Sequence, residues 1–592
     1  MDTMKKLLTT HLLALLLAGS FAEAAAKPNI VLIFMDDMGF NDVGAYTYPS
    51  PPDHYPNSGP PPRPMQESEF IPAPNQARTL TPQIDSLARE GLSMRQFYTN
   101  TICSPARASL LTGRYSKRVG VKGVFFPGGQ GDRVKGLNTT EVTLPAMLRE
   151  LGYATGMVGK WHLGHVPRAH SPFQMMPTRQ GFEEFYGHPH SNDMGHYALI
   201  RNETILDPNF RPPEKQAQTT WRYTEEALAF IDRQHDAERP FFLYLAHIMT
   251  HIPCWPSDRE FTNADGTTWP KFQGSSGVSY YYDVVKEIDH SVGRVLEKLD
   301  ALGIADNTLF IFTSDNGPWL NLYKKDMEQR SVGSAYPLSG GKFNIEEGGV
   351  RVPFLARWPG KIAPETVIDA QVGGVVDMLP TLVGLAGGAP PADRIIDGID
   401  LWPVWSGESA ALSRSYAHFA PNSGDLAAIV QDRWKLTQDG QLFDVRDVDD
   451  QETTNHADAQ PAAVAQLVAA RQAVLDSLAA ESIPLGEFTD YEVRIPTENL
   501  HIRPGETASF EVALSADPGK AVKVKVNHFS GHTDLAVSSG MTLSFDSSNW
   551  DSPQAVTVTA APDAEPRAEG ATFRVATDDI EHVRDIFAFV GR

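Results

Sequence analysis

The sequence predicts an α/β fold followed by an all-β module, and three observations carry that reading. First, residues 28–35 and 307–313 are continuous apolar, β-branched runs rather than alternating ones, as expected of strands buried on both faces of a parallel-type sheet. Second, helical stretches lie between such runs, over 81–91, 144–151, 221–232 and 281–302. Third, from about residue 491 the pattern changes to period two. Runs at 508–514, 521–526, 541–545 and 554–559 are separated by turn residues, which reads as a β-sandwich. A chain of 592 residues is long enough for two or three domains.

Lys5 and Lys6 precede the apolar run 12–17, and Ala22-Glu23-Ala24 offers a small-x-small cleavage site. Residues 1–24 therefore read as a secretory signal peptide, too short to span a membrane. That predicts a secreted or periplasmic protein with no membrane anchor once the signal is removed. The net charge of -22 argues against a nucleic-acid partner. An anionic substrate would have to be attracted locally, by Arg and Lys in a pocket. The chain has two cysteines, Cys103 and Cys254. In an exported protein a disulfide between them is the simplest structural expectation, and the residues alone leave it open.

The chemistry gathers at strand ends. The first run ends in Asp36-Asp37 and the run at 307–313 ends in Ser314-Asp315-Asn316-Gly317. Adjacent carboxylates repel unless a cation lies between them, and an α/β sheet holds ligands beyond the carboxyl ends of its strands. A solvated turn is the alternative. Such oxygen donors suit a hard cation, Ca2+ first and Mg2+ second. A short strand over 153–158 leads into Gly159-Lys160-Trp161-His162, and on an extended segment Lys160 and His162 share a side. The strand over 240–248 leads to Thr250-His251-Ile252-Pro253, with His247 a competitor for the same role. His165, His170, His188, His190 and His196 are too irregularly spaced for a zinc site and read as pocket-rim candidates. The Pro-rich stretch 46–77 is a long loop that either shapes access or is a surface excursion. Pro105 suits the first turn of a helix. Cys103 then sits just before a helix N-terminus, a favourable place for a nucleophile with an anionic substrate. Segments 433–436 and 441–444 predict a small antiparallel sheet, covered by an amphipathic helix over 462–480.

Cys103-x-Pro105-x-Arg107 followed by Thr112-Gly113-Arg114 resembles the signature of the type I sulfatases. Gly159-Lys160-Trp161-His162-Leu163-Gly164, the stretch 179–187, Gly340-Gly341-Lys342 and Glu347-Gly348-Gly349-Val350-Arg351-Val352-Pro353 resemble further blocks of that family, and the likeness runs over about 28–483. The resemblance implies a large central mixed β-sheet flanked by helices over 25–400 and a small α+β C-terminal subdomain over 401–490. Residues 491–592 look like the Ig-like β-sandwich modules appended to secreted bacterial enzymes, here read as a spacer. It also implies that a formylglycine-generating maturation enzyme oxidises Cys103 to formylglycine, which hydrates to a gem-diol. Ca2+ would be bound by Asp36, Asp37, Asp315, Asn316 and an oxygen at position 103. One diol oxygen attacks sulfur, with Lys160 and Lys342 on the sulfate oxygens and Arg107 orienting the diol. His251 protonates the departing alcohol, and His162 takes the proton that lets sulfate leave. The implied protein is a secreted calcium-dependent sulfatase acting on a sulfated carbohydrate. A phosphomonoester or phosphonate hydrolase of the same superfamily, and a binding protein with unconverted Cys103, are the alternatives.

Overall fold

Asn29–Met35 (β1) is buried at every position, and its side chains divide between two cores. Ile30, Leu32 and Phe34 enter one, Val31, Ile33 and Met35 the other. Alternation along a strand sends successive residues to opposite faces, so a strand covered on both faces is apolar at consecutive positions, here 30–35. The computed structural model describes residues 27–46, 80–127, 133–164, 175–195, 197–320, 323–324, 329–330, 333–489, 493–497, 499–515, 517–519, 521–566, 570–577 and 583–591. The predicted signal peptide, the loop 47–77 and His165, His170 and His196 lie outside the described residues.

Nine more strands complete the main sheet: Leu92–Met94 (β2), Ala154–Lys160 (β3), Glu184–His188 (β4), Leu199–Arg201 (β5), Thr204–Asp207 (β6), Phe241–Ala246 (β7), Thr308–Ser314 (β8), Phe354–Arg357 (β9) and Thr366–Ile368 (β10). Their order is β10-β2-β9-β8-β1-β7-β3-β4-β5-β6. The five central strands, β8 to β4, run parallel. Antiparallel pairs on both sides make the sheet mixed. Because the central strands are parallel, their carboxyl ends all open on the same edge.

Helices cover both faces. Pro82–Arg89 (α1), Cys103–Thr112 (α2), Leu144–Glu150 (α3), Thr219–Asp236 (α4), Tyr280–Ala301 (α5) and Met378–Leu385 (α6) carry the apolar stripes. Ile84, Leu87, Phe230, Ile231, Val285 and Ile288 place α1, α4 and α5 against the Val31 face. Leu110, Leu111, Leu144, Leu148, Leu379 and Leu382 place α2, α3 and α6 against the Ile30 face. Tyr416–Phe419 (β11), Leu426–Gln431 (β12), Trp434–Thr437 (β13) and Leu442–Asp444 (β14) form a four-stranded antiparallel sheet. Pro461–Ala480 (α7) packs on β12 and β13, but along a narrow stripe in which only Leu467 and Leu478 are fully buried. The amphipathic pattern expected there is weak, because alanines line much of the helix.

Beyond α7, a four-stranded and a five-stranded sheet share one core of Phe510, Val512, Val524, Val526, Val556, Val558, Phe573 and Val575. The chain therefore ends in the all-β sandwich that the period-two pattern predicts. Trp550 packs against that core. Among the described residues no helix is long and apolar enough to cross a membrane.

Candidate active site

Strand ends bring the charged residues together. Asp36 and Asp37 follow β1, and Asp315 follows β8, its N–H donating to Met35 O at 3.0 Å, so the three acids are neighbours. Each is paired with a different buried cation. Lys160 Nζ, at the end of β3, lies 2.7 Å from Asp36 Oδ2, and Lys342 Nζ lies 2.6 Å from Asp37 Oδ1. Arg107 Nη2, from the second turn of α2, lies 2.8 Å from Asp315 Oδ2, and Nη1 donates to Lys160 O at 2.9 Å. Asp37 sits in the left-handed region at φ 64, which lets its N–H donate to Asp315 Oδ1 at 3.2 Å. Asn316 Nδ2 donates to Asp37 Oδ1 at 2.7 Å.

Cys103 is the first residue of α2 rather than the residue before it. Cys103 and Cys254 are both buried and are not joined to each other by a disulfide, so the disulfide expectation fails. Burial pushes the Cys103 thiol up to about 11 against the opposing pull of Lys160 and Lys342. An unmodified thiol here is protonated at neutral pH and a poor nucleophile.

The two site histidines are held in opposite senses. His162 Nε2 lies 3.0 Å from Phe125 O, which can only accept, so Nε2 carries the proton and the buried Nδ1 keeps its lone pair. Burial, with Lys160 and Arg107 nearby, holds His162 well below the usual imidazole value, so the ring is neutral. The alternation argument for Lys160 and His162 gives way to a different cause. The strand ends at Lys160, and His162 has φ 58, so a turn and not a pleat places the ring. His251 is held by Nδ1, which donates to Ile252 O at 2.8 Å and Asn192 Oδ1 at 3.2 Å, leaving Nε2 3.7 Å from Asp37 Oδ2. Asn192 is itself fixed, its Nδ2 donating to Pro253 O at 2.7 Å and Gln216 Oε1 at 3.2 Å. His247 points elsewhere, to Ser291 Oγ on α5.

His188 and His190 are fully buried, not at a rim. His188 Nδ1 bonds Ala198 O at 2.7 Å while its ring stacks on Tyr197, and His190 Nε2 bonds Gly195 O. Two glycines let the backbones close on the site. A Cβ on Gly317 would stand 1.8 Å from Gly348 O, and one on Gly159, at φ 123, 2.0 Å from Ala246 O.

The Sulfatase family model matches residues 28–389. The chain belongs to the sulfatase family. It is 37% identical over 420 residues to N-acetylgalactosamine-6-sulfatase of Canis lupus familiaris, covering 67% of this chain and 69% of that relative. It is 36% identical over 434 residues to arylsulfatase A of Homo sapiens, covering 70% and 74%. Among solved structures, Ps i-CgsB in complex with k-i-k-neocarrahexaose superposes with a TM-score of 0.58 at 26% identity, over 75% of this chain and 92% of that one. The PsFucS1 sulfatase from Pseudoalteromonas sp. shares the fold, with a TM-score of 0.63 at 23% identity over 78% and 93%. This sulfatase is accordingly a sulfuric ester hydrolase.

The donor set of this sulfatase fits a metal ion. Ligand atoms of Asp36, Cys103 and Asp315 all lie within 4.8 Å of one another. Asp36 Oδ1 and Asn316 Oδ1 are buried oxygens with no hydrogen-bond donor, the kind of orphan a hard cation satisfies. Burial, and then the neighbouring Asp36, push Asp315 up to about 7 despite Arg107. Sequence reasoning missed Phe125, Asn192, Trp319 and Phe343. No motif marks the first two, whose roles depend on loops meeting in space.

Proposed function

We propose that this sulfatase hydrolyses a sulfate ester on a sulfated carbohydrate, using formylglycine made from Cys103 by a maturation enzyme and Ca2+ held by Asp36, Asp37, Asp315, Asn316 and an oxygen at position 103. The observation that carries the proposal is the cluster of Asp36, Cys103 and Asp315 ligand atoms beside two orphaned oxygens. The cation supplies Lewis-acid polarisation of sulfate oxygens. The hydrated aldehyde supplies two hydroxyls, one to attack sulfur and one to allow sulfate release, where a plain Ser or Cys has no second hydroxyl.

The remaining work falls to side chains already in position. Arg107 locks Asp315 and the Lys160 carbonyl, fixing the wall behind position 103. Lys160 and Lys342 offer buried donors to the developing charge on sulfate. His162 accepts a proton at Nδ1, the nitrogen its Phe125 contact leaves free. His251 already carries a proton on Nδ1, so it delivers one to the departing alcohol from Nε2 only as the imidazolium, a form that burial and Lys342 disfavour and the Asp37 and Asp36 carboxylates favour. The carbohydrate class is supported by relatives named N-acetylgalactosamine-6-sulfatase and by a structural neighbour solved in complex with k-i-k-neocarrahexaose. Secretion or a periplasmic location follows from the sequence of residues 1–24. Residues 25–400 would be the catalytic domain, 401–490 its subdomain and 491–592 an Ig-like spacer.

The test is mass spectrometry of the Cys103 peptide from a host with the maturation machinery, with parallel assays on sulfate and phosphate esters. Conversion lowers the peptide mass, and sulfate release should exceed phosphate release. Turnover by protein whose Cys103 is wholly unmodified would refute the proposal.

A further inference from the structure

Ten described non-glycine residues have left-handed φ, and three of them, Asp37, His162 and Phe343, lie at the site. Phe343 is the one apolar side chain among the ten, at φ 73. A bulky residue in that region is a genuine outlier, and glycine would adopt the conformation without steric strain. The phenyl group does not recover that cost by burial, since Phe343 is 40% exposed. Its backbone is pinned, its N–H donating to Thr101 O at 2.9 Å, two residues before Cys103, while Lys342 N–H donates to Pro318 O at 2.9 Å. Strained side chains that persist at functional sites point to a role outside the free chain's own stability.

Trp319 braces the ring. Its centroid lies 5.4 Å from that of Phe343 in a T-shaped contact and 5.5 Å from that of His251. Lys342 Nζ stands 4.6 Å from the Trp319 centroid, so one Trp319 face is taken by the cation. The result is an aromatic wall running from His251 to Phe343 beside a polar, cation-lined site. A substrate that suits both must join an anionic group to an apolar face. A pyranose does so: its axial C–H bonds form a weakly positive face that packs on the negative face of an aromatic ring.

Resting on the proposed function, we infer that Phe343, braced by Trp319, is a specificity-determining platform for the C–H face of the sugar ring that bears the sulfate. Lys342 and His251 then sit at the wall's inner end, where the ester must lie.

The experiment uses full-length Cys103→Ala protein, which has no nucleophile at position 103 and so binds without reacting, and isothermal calorimetry with a sulfated oligosaccharide and with inorganic sulfate. Phe343→Gly should weaken the saccharide about tenfold and leave inorganic sulfate unchanged, a loss typical of one stacking contact. Its melting temperature should change little, because the relief of strain at φ 73 offsets the lost Trp319 contact and glycine's added unfolded-state entropy. Phe343→Trp should bind the saccharide within about twofold of the parent, as any aromatic face serves. Saccharide affinity unchanged in Phe343→Gly, equal loss for saccharide and inorganic sulfate, or no saccharide binding by the parent would each overturn the inference. Sulfate release by converted wild-type protein tests the function reading separately, so the two fail on different readouts.

Discussion

Asn192→Ala isolates how His251 is aimed. His251 Nδ1 donates to two acceptors, Ile252 O at 2.8 Å and Asn192 Oδ1 at 3.2 Å. The substitution removes the longer contact and leaves the shorter. One neutral hydrogen bond contributes about 1 kcal/mol net, so the loss in kcat is roughly fivefold where proton delivery matters. His251→Ala removes the group itself and should cost on the order of 10²–10⁴-fold. The assay is kcat/KM across sulfate esters of graded leaving groups. An alkoxide cannot depart without a proton, so alkyl and sugar sulfates should show the full Asn192→Ala deficit. Nitrophenolate departs unaided, so 4-nitrophenyl sulfate should show almost none. The same factor across the whole series would refute the reasoning, because it would mean that Asn192 supports the pocket and not the proton donor.

Three other outcomes are expected. Asp315→Ala should lose bound metal, read by elemental analysis, together with activity; full activity in a fully metal-stripped wild-type sample would count against the cation. Glu287, buried on α5 and bonded by Ser257 N and Trp269 Nε1, is pushed by burial from 4.5 up to about 7. A raised folded value means that its stabilising contribution is full below 4.5 and disappears as pH rises through about 7. Glu287→Gln should therefore flatten the decline of urea stability over that window, by up to roughly 3 kcal/mol at about 1.4 kcal/mol per unit; an unchanged slope would show that another group titrates. Arg118 is fully buried and donates to both Asp397 oxygens, to Ser477 O and Oγ and to Glu481 O, tying the segment after α2 to α7. Arg118→Met leaves Asp397 buried without its cation and should cost roughly 3–5 kcal/mol in urea unfolding.

The legible parts of the fold are those whose causes are local. β1 and β8 are readable because strands covered on both faces are apolar through their central positions, with polar residues such as Asn29, Thr308 and Ser314 kept to the ends. Strands of three or four residues such as β2, β9 and β10 carry too few positions for any period to show. At the site, the strand-end acids and Lys160 were legible because turn chemistry stops a buried run at a fixed place. The reason for His162 was not, since a left-handed turn after β3 replaced the expected pleat. Asn192 and Phe125 were invisible because each acts through one hydrogen bond across a tertiary contact, 59 and 37 residues away in sequence. The histidines at 188 and 190 misled for the opposite reason, as polar residues are usually exposed but these are satisfied by carbonyls inside the core.

A chain with net charge -22 can still hold an anionic ester because its site is balanced separately from its surface. Asp36, Asp37 and Asp315 lie nearest to Lys160, Lys342 and Arg107 respectively, at 2.7, 2.6 and 2.8 Å, and Arg107 also reaches Asp36 at 3.8 Å. Taken together, six buried charges cancel. The arrangement is neutral as it stands, so its lysines are not free to attract sulfate while they serve the carboxylates. A divalent cation among the orphaned oxygens would give the site a positive excess and turn the carboxylates toward the metal, releasing Lys160 and Lys342 for the substrate. Cation and sulfate ester should therefore bind with positive coupling, each raising the affinity of the other by the same factor.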